Sequence, residues 1–243
     1  MADTKITMTL FIQCLVDGIY PEVGEAMARI FHKLGINLIC PPQQTCCGQP
    51  AFNAGYRREA RVAAKRFIDI FETADAIVCP SGSCVTMVRH HYPQLFEKDA
   101  LWLQRARKVA AKTYELTEYL VDILGVYDLG AHYDGRITYH DSCHLLRNLR
   151  ILEQPRKLLS KVSGAEFIEM HDSDRCCGFG GSFSVKYADI SEAMVADKVN
   201  NIIVSGADTV VGCDMGCLMN IEGMLSRKGS DIKIMHIAQI LAG

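Results

Sequence analysis

Eleven cysteines stand in this 243-residue chain: Cys14, Cys40, Cys46, Cys47, Cys79, Cys84, Cys143, Cys176, Cys177, Cys213 and Cys217. Four of them form two adjacent pairs, each followed by glycine, in TCCGQP (45–50) and RCCGFGG (175–181). A thiolate can act as a nucleophile, a redox group or a soft metal ligand. A disulfide framework fits poorly, because the number is odd and the chain is long enough to hold a core without staples. Adjacent residues are also poor partners for each other: their Cα atoms lie about 3.8 Å apart, short of the usual ~4.4–6.8 Å. Packing as a small hydrophobe suits Cys40, in the apolar stretch INLIC. It does not account for the order of the other ten.

That order is an internal repeat of about 130 residues. Cys14 closes TMTLFIQC and Cys143 closes ITYHDSC, Cys46-Cys47-Gly48 matches Cys176-Cys177-Gly178, and ADAIVCPSGSC matches ADTVVGCDMGC. Between the first cysteine and the pair lie 31 residues in one half and 32 in the other; from the pair to the next cysteine the gaps are 31 and 35. Counted this way, ten cysteines take matching places, with Cys79 set against Cys213.

The stretches between the cysteines repeat as well. TMTLFIQ reads as a strand, and PEVGEAMARIFHKL as a helix with Pro21 in its first turn and Gly35 at its end. INLIC is the next strand, YRREARVAAKRFIDIFETA a second helix and AIVC a third strand. In the second half ITYH, QPRKLLSKVSG, AEFIEM, ISEAMVADKVNNIIVSGA and DTVVGC follow the same order. The expected fold is α/β: two pseudo-symmetric halves, each a small, mainly parallel sheet with flanking helices. The expected division is 1–98, a helical connector at 99–132, and 133–243. Loops beyond the strands' carboxyl ends should gather each cysteine set at one edge of its half.

Composition removes several function classes. Net charge is -2 with acids and bases interspersed, which gives no nucleic-acid footprint. No apolar run approaches the roughly 20 residues that span a bilayer, and the N-terminal stretch does not read as a signal peptide. A cytoplasmic location is expected.

Thiolates select zinc, copper(I) or iron–sulfur clusters. A structural zinc usually takes four ligands with at least one tight hairpin pair. Here each half offers sulfurs in three separated pieces, and an adjacent pair can grip different irons of a larger cluster. The following glycine permits positive φ and exposes N–H groups toward sulfur. A phosphate-cradling reading of GFGG lacks the lysine and spacing of a P-loop.

The arrangement C…CCG…C, present twice, resembles the cysteine-rich (CCG) domain family. That family includes the disulfide-reducing chain of heterodisulfide reductase and iron–sulfur subunits of glycolate and glycerol-3-phosphate oxidation. TCCGQPAFNAGY, PSGSC, HDSCHLLR, CCGFGGSFSVKY and ADTVVGCDMGCLMNI are similar to the family's lactate-utilization branch. The resemblance implies [4Fe–4S] clusters, one per repeat, with zinc at one of the two sites in some members. It also implies a ferredoxin-like iron–sulfur partner subunit and a further subunit, acting together to oxidise L-lactate to pyruvate. Carried over residue by residue, the metal ligands are Cys14, Cys46, Cys47 and Cys84, then Cys143, Cys176, Cys177 and Cys217. Cys79 and Cys213 are fifth cofactor-binding candidates. Where the family closes with C-x-x-C, this chain has four residues between Cys79 and Cys84 and three between Cys213 and Cys217, placing Ser81 and Asp214 at the expected penultimate positions. Asp214 and His144 are candidates to support a cluster from outside its ligand set. His140 and Asp141, beside Cys143, are weaker candidates of the same kind.

The chain shows no G-x-G-x-x-G and no evident flavin or nicotinamide motif, so it is not expected to act on lactate alone. The leading expectation is an electron-transfer subunit of a lactate-oxidising complex. The alternatives are thiol–disulfide redox at a non-cubane cluster, as in heterodisulfide reductase, and a non-enzymatic zinc-binding scaffold.

Overall fold

The computed structural model describes residues 7–243. These fall into two compact units that meet in the chain between residues 119 and 120.

In the first unit the β-type runs pair as a four-stranded, all-parallel sheet in the order β2-β1-β3-β4. Its strands are β1 (Thr7–Leu10), β2 (Asn37–Ile39), β3 (Ala76–Cys79) and β4 (Thr113–Glu115). Parallel neighbours need a crossover, and helices supply it. They are α1 (Cys14–Gly18), α2 (Pro21–Lys33), α3 (Gln49–Asn53), α4 (Arg57–Phe71), α5 (Gly82–Thr86), α6 (Tyr92–Leu95), α7 (Ala100–Ala110) and α8 (Leu116–Glu118). Helix α4 turns Ala60, Ala64, Phe67, Ile68 and Phe71 inward at helical spacing. Phe67 and Phe71 meet Phe11 edge-on, with centroids 4.9 and 5.5 Å away. Such pairs add about 1 kcal/mol each beyond their buried area.

The second unit repeats the plan. Its parallel sheet runs β6-β5-β7-β8. The strands are β5 (His132–His140), β6 (Ser163–Phe167), β7 (Thr209–Gly212) and β8 (Lys233–His236). The helices are α9 (Glu153–Leu159), α10 (Ser182–Lys186), α11 (Ala188–Ser205), α12 (Met215–Arg227) and α13 (Ile237–Leu241). Val199, Ile202, Val210, Ile221 and Leu225 form much of its core.

Residues 99–132, read from sequence as helical, contain α7 but also β4, which pairs with β3 and belongs to the first sheet. Both sheets end on a short strand that leads straight into a buried cap: Glu115 caps α8 and His236 caps α13, each in a reciprocal capping box. In register they are equivalent, Glu115 opposite Cys79 and His236 opposite Gly212.

That register corrects one sequence match. β3 ends at Cys79 and β7 at Gly212, and Ser81 and Asp214 then take the N-caps of α5 and α12. Cys79 therefore corresponds to Gly212, and Cys213 to Pro80. Counting forward from the cysteine pairs set Cys79 against Cys213 because the two intervening segments differ in length.

Candidate metal centre

In each unit four cysteines come from three places in the fold. Cys14 opens α1, Cys46 and Cys47 lie in the loop before α3, and Cys84 lies in α5. In the second unit Cys143 opens a π-helical turn (His144–Asn148), Cys176 and Cys177 precede α10, and Cys217 lies in the first turn of α12. None of the eleven cysteines is in a disulfide.

The glycine after each pair is required by geometry. Gly48 and Gly178 have φ of 87° and 80°, the left-handed region that a side chain rarely enters. A Cβ at Gly178 would sit 2.7 Å from the Ser191 carbonyl, and one at Gly48 would lie 3.0 Å from the Ala63 Cβ. The tight turn aims each glycine N–H at the first sulfur of the pair, with N···Sγ of 3.4 Å for Gly48 to Cys46 and 3.4 Å for Gly178 to Cys176. The second carbonyl of each pair is also held: Tyr92 donates to the Cys47 carbonyl at 2.9 Å, and Asn220 to the Cys177 carbonyl at 2.7 Å.

The sulfurs form a chain of contacts. In the first unit Cys14 and Cys47 both donate toward Cys46, and Cys47 Sγ lies 3.4 Å from Cys84 Sγ. These donors, Cys14 foremost, then Cys47 and the Gly48 N–H, pull Cys46 far below the ordinary thiol range, to about 3. The donors themselves move up: Cys14 through its bond to Cys46, and Cys47 through Cys46, Cys84 and burial. The second unit repeats this with Cys176 pulled down to about 2 by Cys143, Cys177 and the Gly178 N–H, while Cys143 and Cys177 rise. Each set thus places one sulfur that favours the thiolate form among donor thiols, the donor chemistry of a soft metal or an iron–sulfur cluster.

Ser81 is a helix cap, its Oγ accepting the Cys84 N–H at 3.2 Å. Asp214 takes the same cap position in α12 without a side-chain cap bond, and is buried. Cys79 and Cys213 are both fully buried. His144 Nδ1 lies 3.6 Å from Cys143 Sγ. Cys40 stays apart, its sulfur accepting from Gln44 at 3.1 Å.

Two residues that the sequence ranked low or passed over sit beneath the second site. His140 is 1% exposed, and neither ring nitrogen has a hydrogen-bond partner among the described residues. Its ligand atom and the Cys177 and Cys217 sulfurs all lie within 4.8 Å of one another. Burial, then the nearby Lys198 charge, keeps the imidazole neutral, with its pKa lowered to about 3. Lys198 itself is fully buried and donates to the carbonyls of Asp172 at 2.7 Å and Ser173 at 3.1 Å. Asp141 fastens the same loop, its N–H donating to the Ser173 carbonyl at 3.0 Å and its carboxylate taking Arg156 at 3.0 and 2.7 Å. Lys198 falls on the buried stripe of Val195, Val199 and Ile202, so a lone lysine on an apolar helix face was the available signal.

A cavity of about 260 Å³ opens beside this unit's cysteine loop, lined in part by Ser191, Asn220, Met224 and Arg227. Among the described residues no helix is long and apolar enough to cross a membrane.

The cysteine-rich domain family (CCG) matches this chain twice, over residues 8–89 and 137–222. Lactate utilization protein A of Geobacillus sp. is 49% identical over 96% of this chain and 98% of its own length. The Bacillus subtilis protein of the same name is 48% identical over the same shares. Among solved structures, a hypothetical protein from Helicobacter pylori shares the fold with a TM-score of 0.66 at 13% identity, covering 97% of this chain and 48% of that one.

Proposed function

The chain belongs to the cysteine-rich CCG-domain family and to its lactate utilization protein A group, and from that membership we propose that it serves lactate utilization as an electron-transfer subunit carrying one metal centre in each unit. The observation that carries this reading is the duplicated chain of four thiols, each with a thiolate-prone cysteine at its middle. Cys14, Cys46, Cys47 and Cys84 would hold one centre, and Cys143, Cys176, Cys177 and Cys217 the other. The fit rests on donor chemistry: four sulfurs from three segments, and backbone N–H groups already directed at sulfur.

Oxidation of L-lactate to pyruvate releases two electrons and two protons. An iron–sulfur cluster accepts and releases electrons singly, which suits a relay between partners and not hydride removal from lactate. A flavin- or nicotinamide-binding partner would take the first step, and a ferredoxin-like subunit is a fitting neighbour in the relay. The protein's own residues fix the ligands in place: Gly48 and Gly178 orient the sulfurs, Tyr92 and Asn220 hold the pair's backbone, and burial of Cys47, Cys84, Cys177 and Cys217 excludes water.

Anaerobic purification followed by iron, sulfide and zinc analysis tests the reading. About four irons and four sulfides per unit support a [4Fe–4S] assignment. Iron in one unit and zinc in the other supports the mixed form. Protein that takes up neither metal overturns the reading. The 3.4 Å approach of Cys47 Sγ to Cys84 Sγ also favours a second reading, thiol–disulfide redox. Disulfide-reductase activity of the loaded chain by itself would decide for that alternative.

A further inference from the structure

We propose that His140 supplies a ring nitrogen to the metal held by Cys143, Cys176, Cys177 and Cys217, so that the second unit holds a mixed sulfur–nitrogen centre. The inference rests on the metal-centre reading above and adds a donor to it.

The first observation is an unmet need. His140 is 1% exposed and both its ring nitrogens lack a hydrogen-bond partner among the described residues. A buried polar group left unsatisfied costs about 1–3 kcal/mol, and such a group calls for a missing ion or water. The second observation is where the ring sits. Its ligand atom, Cys177 Sγ and Cys217 Sγ lie mutually within 4.8 Å, the one such trio of His, Cys, Asp or Glu among the described residues. Metal–nitrogen and metal–sulfur bonds of about 2.0–2.1 and 2.3 Å bring tetrahedral ligands to roughly 3.5–4 Å from each other. The trio therefore closes on a metal through shifts of less than about an ångström. Histidine also replaces cysteine on iron in some iron–sulfur centres, so the donor suits a cluster as well as zinc.

The third observation is the counterpart. β1 and β5 pair with β3 and β7 in the same register, Leu10 with Val78 and Tyr139 with Val211. The next residues, Phe11 and His140, therefore take the same place, each three positions before the first cysteine. Phe11 packs against Phe67 and Phe71 and offers no donor. An apolar ring satisfies the packing there, so packing does not call for an imidazole at His140.

Cobalt(II) is the probe, because it binds thiolates, is paramagnetic and does not presuppose the native metal. The full chain with Cys46→Ser and Cys47→Ser is produced with ¹⁴N- or ¹⁵N-histidine, stripped of metal and titrated with Co²⁺ alone, leaving the second unit as the competent site. A sulfur-to-cobalt charge-transfer band reports binding; pulsed electron-nuclear spectroscopy reports bound nitrogen. The expected result is the band together with a directly bound histidine nitrogen coupling that changes with the isotope. His140→Phe, which copies Phe11 of the first unit, should keep the band, lose the coupling and weaken binding at least about tenfold. His144→Gln should keep both signals. Cobalt bound with the band but without nitrogen coupling overturns the proposal. So does a coupling that survives His140→Phe or disappears in His144→Gln. A chain that gives no sulfur-to-cobalt band at all instead overturns the metal-centre reading beneath it.

Discussion

The two units build their cysteine sets on the same scaffold and differ in what lies underneath. In the first unit Phe11, Phe67 and Phe71 form an apolar floor. In the second, His140 replaces Phe11. Lys198 replaces Phe67, each standing eleven residues beyond the tyrosine that N-caps its helix, α11 or α4. A buried lysine and a buried histidine are costly without partners. The lysine answers that cost by tying down the Asp172 and Ser173 carbonyls just before Cys176. The same backbone thus supports a floor that only packs and a floor that also fastens the cysteine loop. The two units share the thiols and differ in the layer below them.

The comparison breaks most sharply at the proposed ligands. Cys47→Ser should remove nearly all metal from the first unit and Cys177→Ser nearly all from the second, each leaving the other loaded. Metal analysis of the two variants checks this, and equal loss from both units would contradict two separate centres.

Next in size is the glycine. Gly178→Ala drives a Cβ against a backbone carbonyl at a left-handed φ, whereas Gly48→Ala meets a methyl group. The first should cost roughly 4 kcal/mol and the second roughly 2. Unfolding midpoints measured unit by unit through hydrogen exchange would show it; equal losses would mean the two turns are equally tolerant.

A pH difference follows from Glu115. Burial lifts its carboxyl from 4.5 to about 7, and Oε1 lacks a hydrogen-bond partner among the described residues. Because the folded state holds this proton more tightly, the first unit's stability is highest below pH 4.5 in this respect and declines as pH rises through about 7. The full effect is roughly 3 kcal/mol at 1.36 kcal/mol per pH unit. His236 occupies the equivalent cap in the second unit, which lacks this acid. Glu115→Gln should flatten the first unit's profile between those limits and leave the second unit's unchanged. A wild-type profile already flat over that range would refute the assignment.

The smallest effect expected is at Lys198. Lys198→Met frees two carbonyls and loosens the loop before Cys176, so the second unit's metal affinity should fall about tenfold while the first unit's holds. Competitive chelator titration measures both.

Much of the fold was legible beforehand, for identifiable reasons. Helices α2, α4 and α11 carry apolar residues at helical spacing, and the CCG glycines announce a turn only glycine makes easily. β4 and β8 escaped because TYE and KIMH are edge strands of three and four residues with mixed polarity. Equating Cys79 with Cys213 failed because residue counting ignores register, which only the pairing of β3 and β7 fixes. His144 drew attention as the immediate neighbour of Cys143 and does approach its sulfur. His140 faces the opposite end of the same set, beside Cys177 and Cys217, a proximity that arises from residues far apart in the chain.

Each cysteine set is also graded in depth. Cys14 is exposed, Cys46 half-buried, and Cys47 and Cys84 buried; in the second unit Cys143 and Cys176 are half-buried and Cys177 and Cys217 buried. Each set therefore has a doorway and a back wall. Under the metal-centre proposal, metal arriving from outside would meet wetted sulfur before dry sulfur, and assembly would proceed inward. Under the electron-transfer proposal an electron would use the same doorway, since tunnelling is fastest where the least protein intervenes. A donor or acceptor protein would dock over Cys14 or Cys143, and that side of each unit is where an exchange partner should be sought.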